Sequence, residues 1–337
     1  MKTSCLKISL LLANLCTLLL AQIEISGAQG SSNGVVVRDN GKYSSLSVNA
    51  EDVMRLLPDT TDLPGYTVVV PQADDPIVIP GVEYGHTCIL LNKNDMLPET
   101  KWNASRIVRE WFRADQVQAY LSRAIQSLNF LRPDSIRAEV NVYNCPAASL
   151  GNTFEHYRQR SNVVICQGTP SGFTLGEGAW YFRDSTNRGF VAFTYDRGAC
   201  RVDAPDVLLA ESLAQCVLYR LLVHPKGIVK PMPVPQLLVE GKPLSSPLIA
   251  SLNGVVVVPV SLLQPFGVEV QTNRTPEIWT VTLRRGSRWV QVQAFGWEAQ
   301  TPSDKVKLER AVFPFEGQLV VPLRQVAEAL GLSVQAQ

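Results

Sequence analysis

Two stretches near the C-terminus decide the fold: Gly254–Gln271, GVVVVPVSLLQPFGVEVQ, and Gly317–Gln335, GQLVVPLRQVAEALGLSVQ. Each contains a glycine, a β-branched run, a proline, an amphipathic turn, a second glycine and a short apolar run. The shared order predicts an internal repeat of strand, short helix and strand. The proline is expected at the end of the strand, where a missing N–H is tolerated. Because Gln264-Pro265-Phe266 interrupts the first stretch, its helix is expected to be the shorter one.

The residues around the repeat add a hairpin and a turn. Ile278–Leu283 and Trp289–Val292 alternate apolar and polar side chains on either side of Arg285-Gly286, which predicts two hairpin strands. The tryptophans leave two interpretations open, a partner surface or packing within the hairpin. They are Trp279, Trp289 and Trp297.

The segment Gln236–Gln337 resembles the stalk-type domain of the copper amine oxidase N-terminal-like family, which occurs in secreted bacterial proteins. The resemblance rests on Leu238–Leu244 (LVEGKPL), on Val321–Arg324 and on Val326–Gly331. It implies antiparallel strands and short helices that serve as a spacer or interaction module. The family name does not imply copper here, because the segment contains no histidine and no cysteine. No cofactor and no metal are expected.

Length and charge limit the classes of function. The chain has 337 residues, of which 46% are hydrophobic, so two or three domains with their own cores are expected. It carries 31 basic and 30 acidic residues, without a basic block beyond the extreme N-terminus. Nucleic acids and anionic membranes are usually bound through clustered Lys and Arg, so neither is an expected partner.

The first 28 residues are predicted to be a signal peptide. Lys2 and Lys7 precede the apolar run Ile8–Leu20, and the small residues Ser26 and Ala28 suit a cleavage site after Ala28. The run is short for a membrane-spanning helix, which needs roughly 20 apolar residues. An uncleaved anchor is the alternative. The expected location is secreted or extracytoplasmic, with no membrane contact beyond the signal segment.

Cleavage there would leave five of the seven cysteines, in a compartment that permits disulfides. Pairing of Cys145 with Cys166 and of Cys200 with Cys216 is one interpretation. Small buried thiols are the other. The remaining cysteine is Cys88.

The fold class predicted from these patterns is α+β. Residues 29–100 are predicted to be a flexible segment followed by short strands, since Ser, Gly and Asn are frequent in 29–45 and proline interrupts the apolar runs of 68–92. Residues 101–228 are predicted to form a mixed-sheet middle domain. It should contain a helix over Asp115–Leu131 and a strand over Ile136–Val142.

Further strands are predicted at 162–167, 179–183 and 189–195, followed by a helix from Pro205 to Leu222. Pro205 is expected in its first turn and Asp203 or Asp206 near its start. The helix is apolar on most sides, so it should be central and buried. His224-Pro225 should end it, and the following prolines mark a boundary to the repeat domain, residues 229–337.

The predicted central helix contains the candidate catalytic residue, Glu211. The element order around it is similar to that of the zincin metallopeptidases of bacterial envelopes, in which a helix carries His-Glu-x-x-His. Ala210 and Ala214 stand where both histidines would be. The resemblance therefore implies an inactive relative, with these side chains facing an empty cleft above a sheet edge. The alternative is an ordinary helix that contains a glutamate by coincidence. Glu240 could be assigned as the third zinc ligand of such an enzyme, and a strand-turn role is the alternative interpretation for it.

No other residue set completes a catalytic motif. The histidines are His86, His156 and His224, and only His86 has another metal-binding side chain, that of Cys88, at strand spacing. Glu155-His156 lacks a visible nucleophile. The scattered carboxylates of the middle region could form a glycosidase pair only if the fold brought two together. They are Glu177, Asp184 and Asp196.

The sequence therefore favours a secreted or cell-envelope-associated, non-enzymatic binding or spacer protein. Its expected partner is an envelope protein or a glycan. The alternative is a peptidase-like hydrolase, or a pseudoenzyme derived from one, with its site in residues 80–228.

Overall fold

The computed structural model describes residues 28–30, 35–39, 55–59, 62–67, 86–91, 104–113, 136–143, 163–165, 172, 174–184, 188–224 and 229–336. The helix predicted at Asp115–Leu131, residues 1–27 of the predicted 28-residue signal peptide, His156 and the proposed Cys145–Cys166 pair lie outside these residues. The described chain is strand-rich with few helices, which confirms the α+β class.

The described residues of the first part form ten strands and one long helix. They are β1 (Ala28–Gly30), β2 (Val35–Asp39), β3 (Tyr66–Thr67), β4 (His86–Leu91), β5 (Ala104–Arg113), β6 (Ile136–Tyr143), β7 (Val163–Ile165), β8 (Gly178–Asp184), β9 (Gly189–Tyr195), β10 (Gly198–Ala204) and α1 (Val207–Val223).

The second part has twelve short strands and two short helices. They are β11 (Leu237–Val239), β12 (Lys242–Leu244), β13 (Ala250–Leu252), β14 (Val255–Pro259), a 3-10 helix (Val260–Phe266), β15 (Glu269–Arg274), β16 (Trp279–Arg285), β17 (Arg288–Gln293), β18 (Glu298–Gln300), β19 (Lys305–Lys307), β20 (Phe313–Phe315), β21 (Gln318–Pro322), α2 (Leu323–Ala329) and β22 (Val334–Ala336).

One large sheet holds all strands of the first part. Its order is β1-β2-β4-β5-β6-β10-β9-β8-β7, and β3 pairs with β5. The β2–β4 pair is parallel. The strand predicted from alternation, β6, and the further predicted strands β7, β8 and β9 are present. The stretch 29–45 was expected to be flexible, yet it contains β2, because the β-branched run Val35–Val37 favours a strand despite the surrounding Gly and Ser.

Helix α1 is the buried central helix that its composition predicts: 13 of its 17 residues are buried. Asp206 is its N-cap, and its Oδ1 accepts a hydrogen bond from the Leu209 amide at 2.8 Å. Pro205 therefore lies before the cap, so its expected place in the first turn was wrong. The helix ends at His224, whose extended backbone is the one preferred before a proline.

The internal repeat is present and its two copies pair with each other. Strands β14 and β21 lie side by side, with Val258 opposite Val321, in a sheet of order β13-β14-β21-β20. Each strand ends in its proline and continues into a helix of seven residues. The expectation of a shorter first helix was therefore wrong. The copies differ in helix type, because Pro265 cannot donate the bond that an α-helix needs.

The first strand of each copy belongs to a hairpin, and the two hairpins have the same type of turn. Asn253 and Gly254 have φ values of 49° and 90°, and Glu316 and Gly317 have 47° and 78°. Two successive residues with positive φ are typical of the type I′ turn, whose twist matches that of the strands. The repeat unit is thus a hairpin, a short helix and a further strand.

The remaining strands form two more sheets. The predicted hairpin is β16–β17, and it lies in a five-stranded sheet of order β15-β16-β17-β18-β19. Strands β12, β11 and β22 form the other. Among the described residues, no helix has the length and hydropathy that crossing a membrane would require.

The hydrophobic core crosses the sequence position predicted as a domain boundary. Helix α1 contacts β9 and β10 of the large sheet and also β13 and β20 of the C-terminal part. One buried cluster includes Val217 and Leu218 of α1 together with Phe313 and Phe315 of β20. A second cluster lies within the C-terminal part, around Trp279. The division at residue 228 stays a prediction about the sequence; the side chains on its two sides share a core.

Candidate functional site

The residues predicted from the zincin resemblance lie in the interior. Ala210 and Ala214 are fully buried, and Glu211 is 1% exposed. A peptidase helix presents these positions to an open cleft that admits water and substrate. Glu211 therefore does not face such a cleft, and the zincin resemblance has no support in the described part of the chain.

Glu211 acts instead on two other buried polar groups. Burial raises the pKa of Tyr181, and the negative charge of Glu211 raises it further. Burial lowers the pKa of Arg310, and the same carboxylate opposes that change. The Arg310 guanidinium donates from Nε and Nη2 to the Leu252 carbonyl at 3.0 and 2.9 Å. An interior charge of each sign is thus held near the contact between α1 and the C-terminal part.

One side of α1 is bonded to main-chain groups of the C-terminal part, and we call these contacts the junction. Their helix residues are spaced so that they share a face. The pairs are Gln215 Oε1 with the Ala311 amide at 3.0 Å, Cys216 Sγ with Pro314 O at 3.5 Å, the Tyr219 hydroxyl with Leu248 O at 2.8 Å, and Arg220 Nη2 with Pro314 O at 3.4 Å. The junction satisfies the bonded atoms, which burial would otherwise penalise, whereas Gln215 Nε2 and Arg220 Nε are buried without a hydrogen-bond partner among the described residues.

Arg220 also joins a third segment to the junction. Its Nη2 lies 3.0 Å from Asp62 Oδ2, and both side chains are 6% exposed. Its Nη1 donates to the Arg55 carbonyl at 3.1 Å. Its guanidinium lies 5.3 Å from the centre of the Phe315 ring. Residues 55–62, α1 and β20 therefore meet at one buried cation.

The carboxylates that remained candidates have structural roles. Glu240 lies in the turn between β11 and β12, where its Oε1 accepts from the Ser333 amide at 2.7 Å, and this bond holds its pKa below the usual range. It is a strand-turn residue, as the alternative interpretation had it. Glu177 Oε2 accepts from the Asp196 amide at 3.2 Å, and Asp196 Oδ2 accepts from the Lys230 amide at 2.8 Å. Asp184 ends β8.

The cysteines and histidines are the remaining candidates that the sequence singled out. Cys200 and Cys216 are both buried and are not joined in a disulfide, so the proposed pairing was wrong and the buried-thiol interpretation holds. Burial raises the pKa of Cys216 to about 11. His224 caps the end of α1, with Nε2 3.6 Å from Glu316. His86 and Cys88 both lie on β4.

An open groove of about 670 Å³ lies where the start of α1 meets the five-stranded sheet. Its apolar and aromatic lining comes from the 63–66 segment, the first turn of α1 and the 294–297 loop: Leu63, Pro64, Tyr66, Leu208, Leu209, Phe295 and Trp297. Its polar lining is Asp206, Glu277, Thr280, Gln291, Gln293, Glu298, Gln300 and Lys305. Three distant stretches of sequence therefore build it.

Strand alternation places the polar side chains on the groove. Val290 and Val292 of β17 are buried, so Gln291 and Gln293 point to the opposite, exposed face. Thr280 of β16 lies directly opposite Gln293 in the register. This regular alternation is the sequence signal that could have indicated the polar wall. It could not have indicated that residues 63–66 and the start of α1 also line the groove.

The tryptophans separate into two roles. Trp279 is fully buried, and the Arg274 guanidinium lies 4.0 Å from the centre of its ring, so the packing interpretation is right for it. Trp289 is half-buried and is not part of the groove lining. Trp297 is half-buried in the groove, where its Nε1 donates to the Leu208 carbonyl at 3.4 Å. Of these three tryptophans, only Trp297 lines the groove.

Comparison with known families identifies one part of the chain. Residues 238–337 match the family model described as copper amine oxidase N-terminal domain, a non-catalytic stalk-like domain, which confirms the C-terminal resemblance. No curated protein and no solved structure matches the chain. The matched segment has no His, Cys or Met, the side chains that hold copper, so its residues do not fit that metal.

Proposed function

We propose that this protein is a secreted or cell-envelope-associated binding and spacer protein without catalytic activity. The observation that carries the proposal is the burial of Glu211 on α1, the helix whose junction docks a stalk-like domain. A helix whose polar side chains bond to a neighbouring domain presents no reactive group to substrate. The match of residues 238–337 to a non-catalytic family supports the same conclusion.

The junction makes the spacer a rigid one. The connection between the two parts contains the exposed prolines Pro231, Pro233 and Pro235, which keep it extended. Lys230 is held at its start, since its amide donates to Asp196 and its carbonyl accepts from the Tyr195 hydroxyl at 2.9 Å. Because the two parts also share a hydrophobic core, the stalk-like domain is expected to hold a fixed orientation relative to the first part.

The proposed location comes from the signal-like N-terminus, with Lys2, Lys7 and the apolar run that follows. It is tested by expressing the full chain in a bacterial host and separating cytoplasmic, envelope and secreted fractions. We expect the protein outside the cytoplasm, with a mature N-terminus near residue 29 by mass spectrometry. Full-length protein confined to the cytoplasm would overturn this part of the proposal.

The absence of catalysis is tested on the purified protein. We expect no stoichiometric zinc and no hydrolysis of a mixed peptide library after zinc is supplied. Zinc bound one to one, together with peptide cleavage that the Glu211→Gln variant loses, would overturn the proposal. It would establish the peptidase-like hydrolase in its place.

A further inference from the structure

We infer that the groove between the start of α1 and the five-stranded sheet is a binding site for an uncharged oligosaccharide. The inference rests on the proposed binding function and names the class of ligand. Its volume of about 670 Å³ lies within the range of about 300–1,000 Å³ that is usual for ligand sites. Its opening to solvent admits an extended chain as well as a single ring.

The aromatic lining suits the apolar faces of sugar rings. Trp297 and Tyr66 both line the groove. The bond from Trp297 Nε1 to Leu208 O, at 3.4 Å, restrains the indole before any ligand arrives. An aromatic group that is already restrained loses little conformational entropy on binding. Leu208, 45% exposed, extends this apolar surface.

The polar lining suits hydroxyl groups. Gln293 and Gln300 are exposed on the groove and each presents two N–H donors and a carbonyl acceptor. Thr280, opposite Gln293, adds a hydroxyl that can donate or accept. A sugar hydroxyl also donates and accepts, so neighbouring hydroxyls match such amides in either direction.

The charges exclude an anionic ligand. The groove has three carboxylates, Asp206, Glu277 and Glu298, and one ammonium, Lys305. Lys305 lies 3.7 Å from Glu298, so its charge is already balanced. The remaining negative charge repels sulfated or carboxylated glycans and nucleic acids, which need clustered cations.

The sheet topology argues against a peptide. Thr280 and Gln293 lie on β16 and β17, and both strands are paired on each side in the order β15-β16-β17-β18. The part of the wall that β16 and β17 form therefore offers no unpaired strand edge, and a peptide that adds as a strand has nothing to pair with there. The edge strand β19 contributes only Lys305 to the lining.

The test is isothermal titration of the full-length protein with a panel of uncharged hexasaccharides: cellohexaose, xylohexaose, maltohexaose, mannohexaose, laminarihexaose and chitohexaose. Oligogalacturonate and an unstructured casein peptide are the comparison ligands. We expect at least one uncharged hexasaccharide to bind and oligogalacturonate not to bind. The Trp297→Ala variant should weaken binding about tenfold, as loss of a central aromatic contact usually does.

Two variants separate binding from folding. Trp289→Ala removes the half-buried tryptophan outside the groove and should leave affinity within about twofold. Gln293→Ala combined with Gln300→Ala alters only exposed groove side chains and should weaken binding about threefold to tenfold. Thermal melting of each variant reports whether it is folded.

The outcomes distinguish the inference from the function on which it rests. The glycan inference alone would be overturned if none of the six hexasaccharides bound. It would also be overturned if Trp289→Ala weakened binding as much as Trp297→Ala. Peptide binding that depends on Trp297 would replace glycan by peptide and leave the binding function in place. Shortening of the bound sugar, seen by chromatography, would instead contradict the proposed absence of catalysis.

Discussion

The junction and the groove are two polar regions that both adjoin α1, and they differ in burial. At the junction, Gln215, Tyr219 and Arg220 are buried and bond to main-chain groups of the C-terminal part. At the groove, Gln293 and Gln300 are exposed. The first arrangement stabilises a fold, because a buried polar group without its partner is costly. The second leaves hydrogen-bonding capacity for a ligand.

The comparison shows that the type of a residue does not by itself indicate whether its role is catalytic or structural. Glu211 is the kind of residue that catalysis uses, and the sequence made it the catalytic candidate. It nevertheless lies in the interior with Arg310 and Tyr181. Substitutions at the junction should therefore change stability, and substitutions in the groove should change binding.

The largest expected effect is at Arg220. Arg220→Met leaves Asp62 buried without its cation, and breaking a buried pair in this way costs about 3–5 kcal/mol. Urea denaturation of the full-length protein would measure the loss in the free energy of unfolding.

The control for Arg220 is the exposed pair between Arg285 and Glu240, whose side chains are 32% and 36% exposed. Arg285→Met should cost at most about 1 kcal/mol, because solvent screens exposed pairs. Equal losses in the two variants would contradict the distinction between buried and exposed polar contacts.

The next effect is a pH dependence from Cys216. Its folded-state pKa of about 11 lies above the ordinary 9.0, so the folded protein keeps a proton that the unfolded chain releases. Its stabilisation is complete below pH 9 and is lost as the pH rises to about 11, a change of roughly 2–3 kcal/mol.

Cys216→Ser is the matched variant, since serine keeps a donor for Pro314 O but does not titrate in this range. Under reducing conditions, the free energy of unfolding of the wild type should fall relative to that of this variant as the pH rises from 8.5 to 11. A difference that stays constant over this range would contradict the buried position of the thiol.

The third prediction uses the two repeat copies. Asn253 Oδ1 accepts from the Gly176 amide at 2.9 Å, and its Nδ2 donates to the Gly176 carbonyl at 2.8 Å. Asn253→Ala should cost about 2 kcal/mol, from two lost bonds and a left-handed backbone that asparagine tolerates better than alanine.

Glu316 occupies the equivalent turn position, with φ of 47°, and its side chain is 55% exposed. Glu316→Ala should change the unfolding free energy by less than about 0.5 kcal/mol. If thermal and urea unfolding rank the two variants equally, the contact with Gly176 does not join the two parts as described.

The smallest expected stability effect is in the groove. The double variant Gln293→Ala, Gln300→Ala should stay within about 0.5 kcal/mol of wild type in urea denaturation, because both side chains are exposed. A loss comparable to that of Arg220→Met would show that the groove wall is structural and would weaken its contrast with the junction.

Local patterns predicted much of the fold. The strand ending in proline, the following helix and the alternation of β16 and β17 depend on neighbouring residues, so the sequence alone indicated them. The type of the first repeat helix was missed, although Pro265 signalled a disturbance. The start of α1 was displaced because two aspartates and a proline were all acceptable near a helix start, and only Asp206 caps it.

What the sequence by itself determined is the repeat, the buried character of α1 and the similarity of residues 238–337 to a stalk-like domain. Only the tertiary structure decided that Glu211 is interior, that Asp62 pairs with Arg220 and that Trp297 faces the start of α1. The reason is the range of the interactions. Backbone periodicity is set by residues a few positions apart, whereas burial and pairing depend on segments that lie far apart in the chain and meet only when it folds.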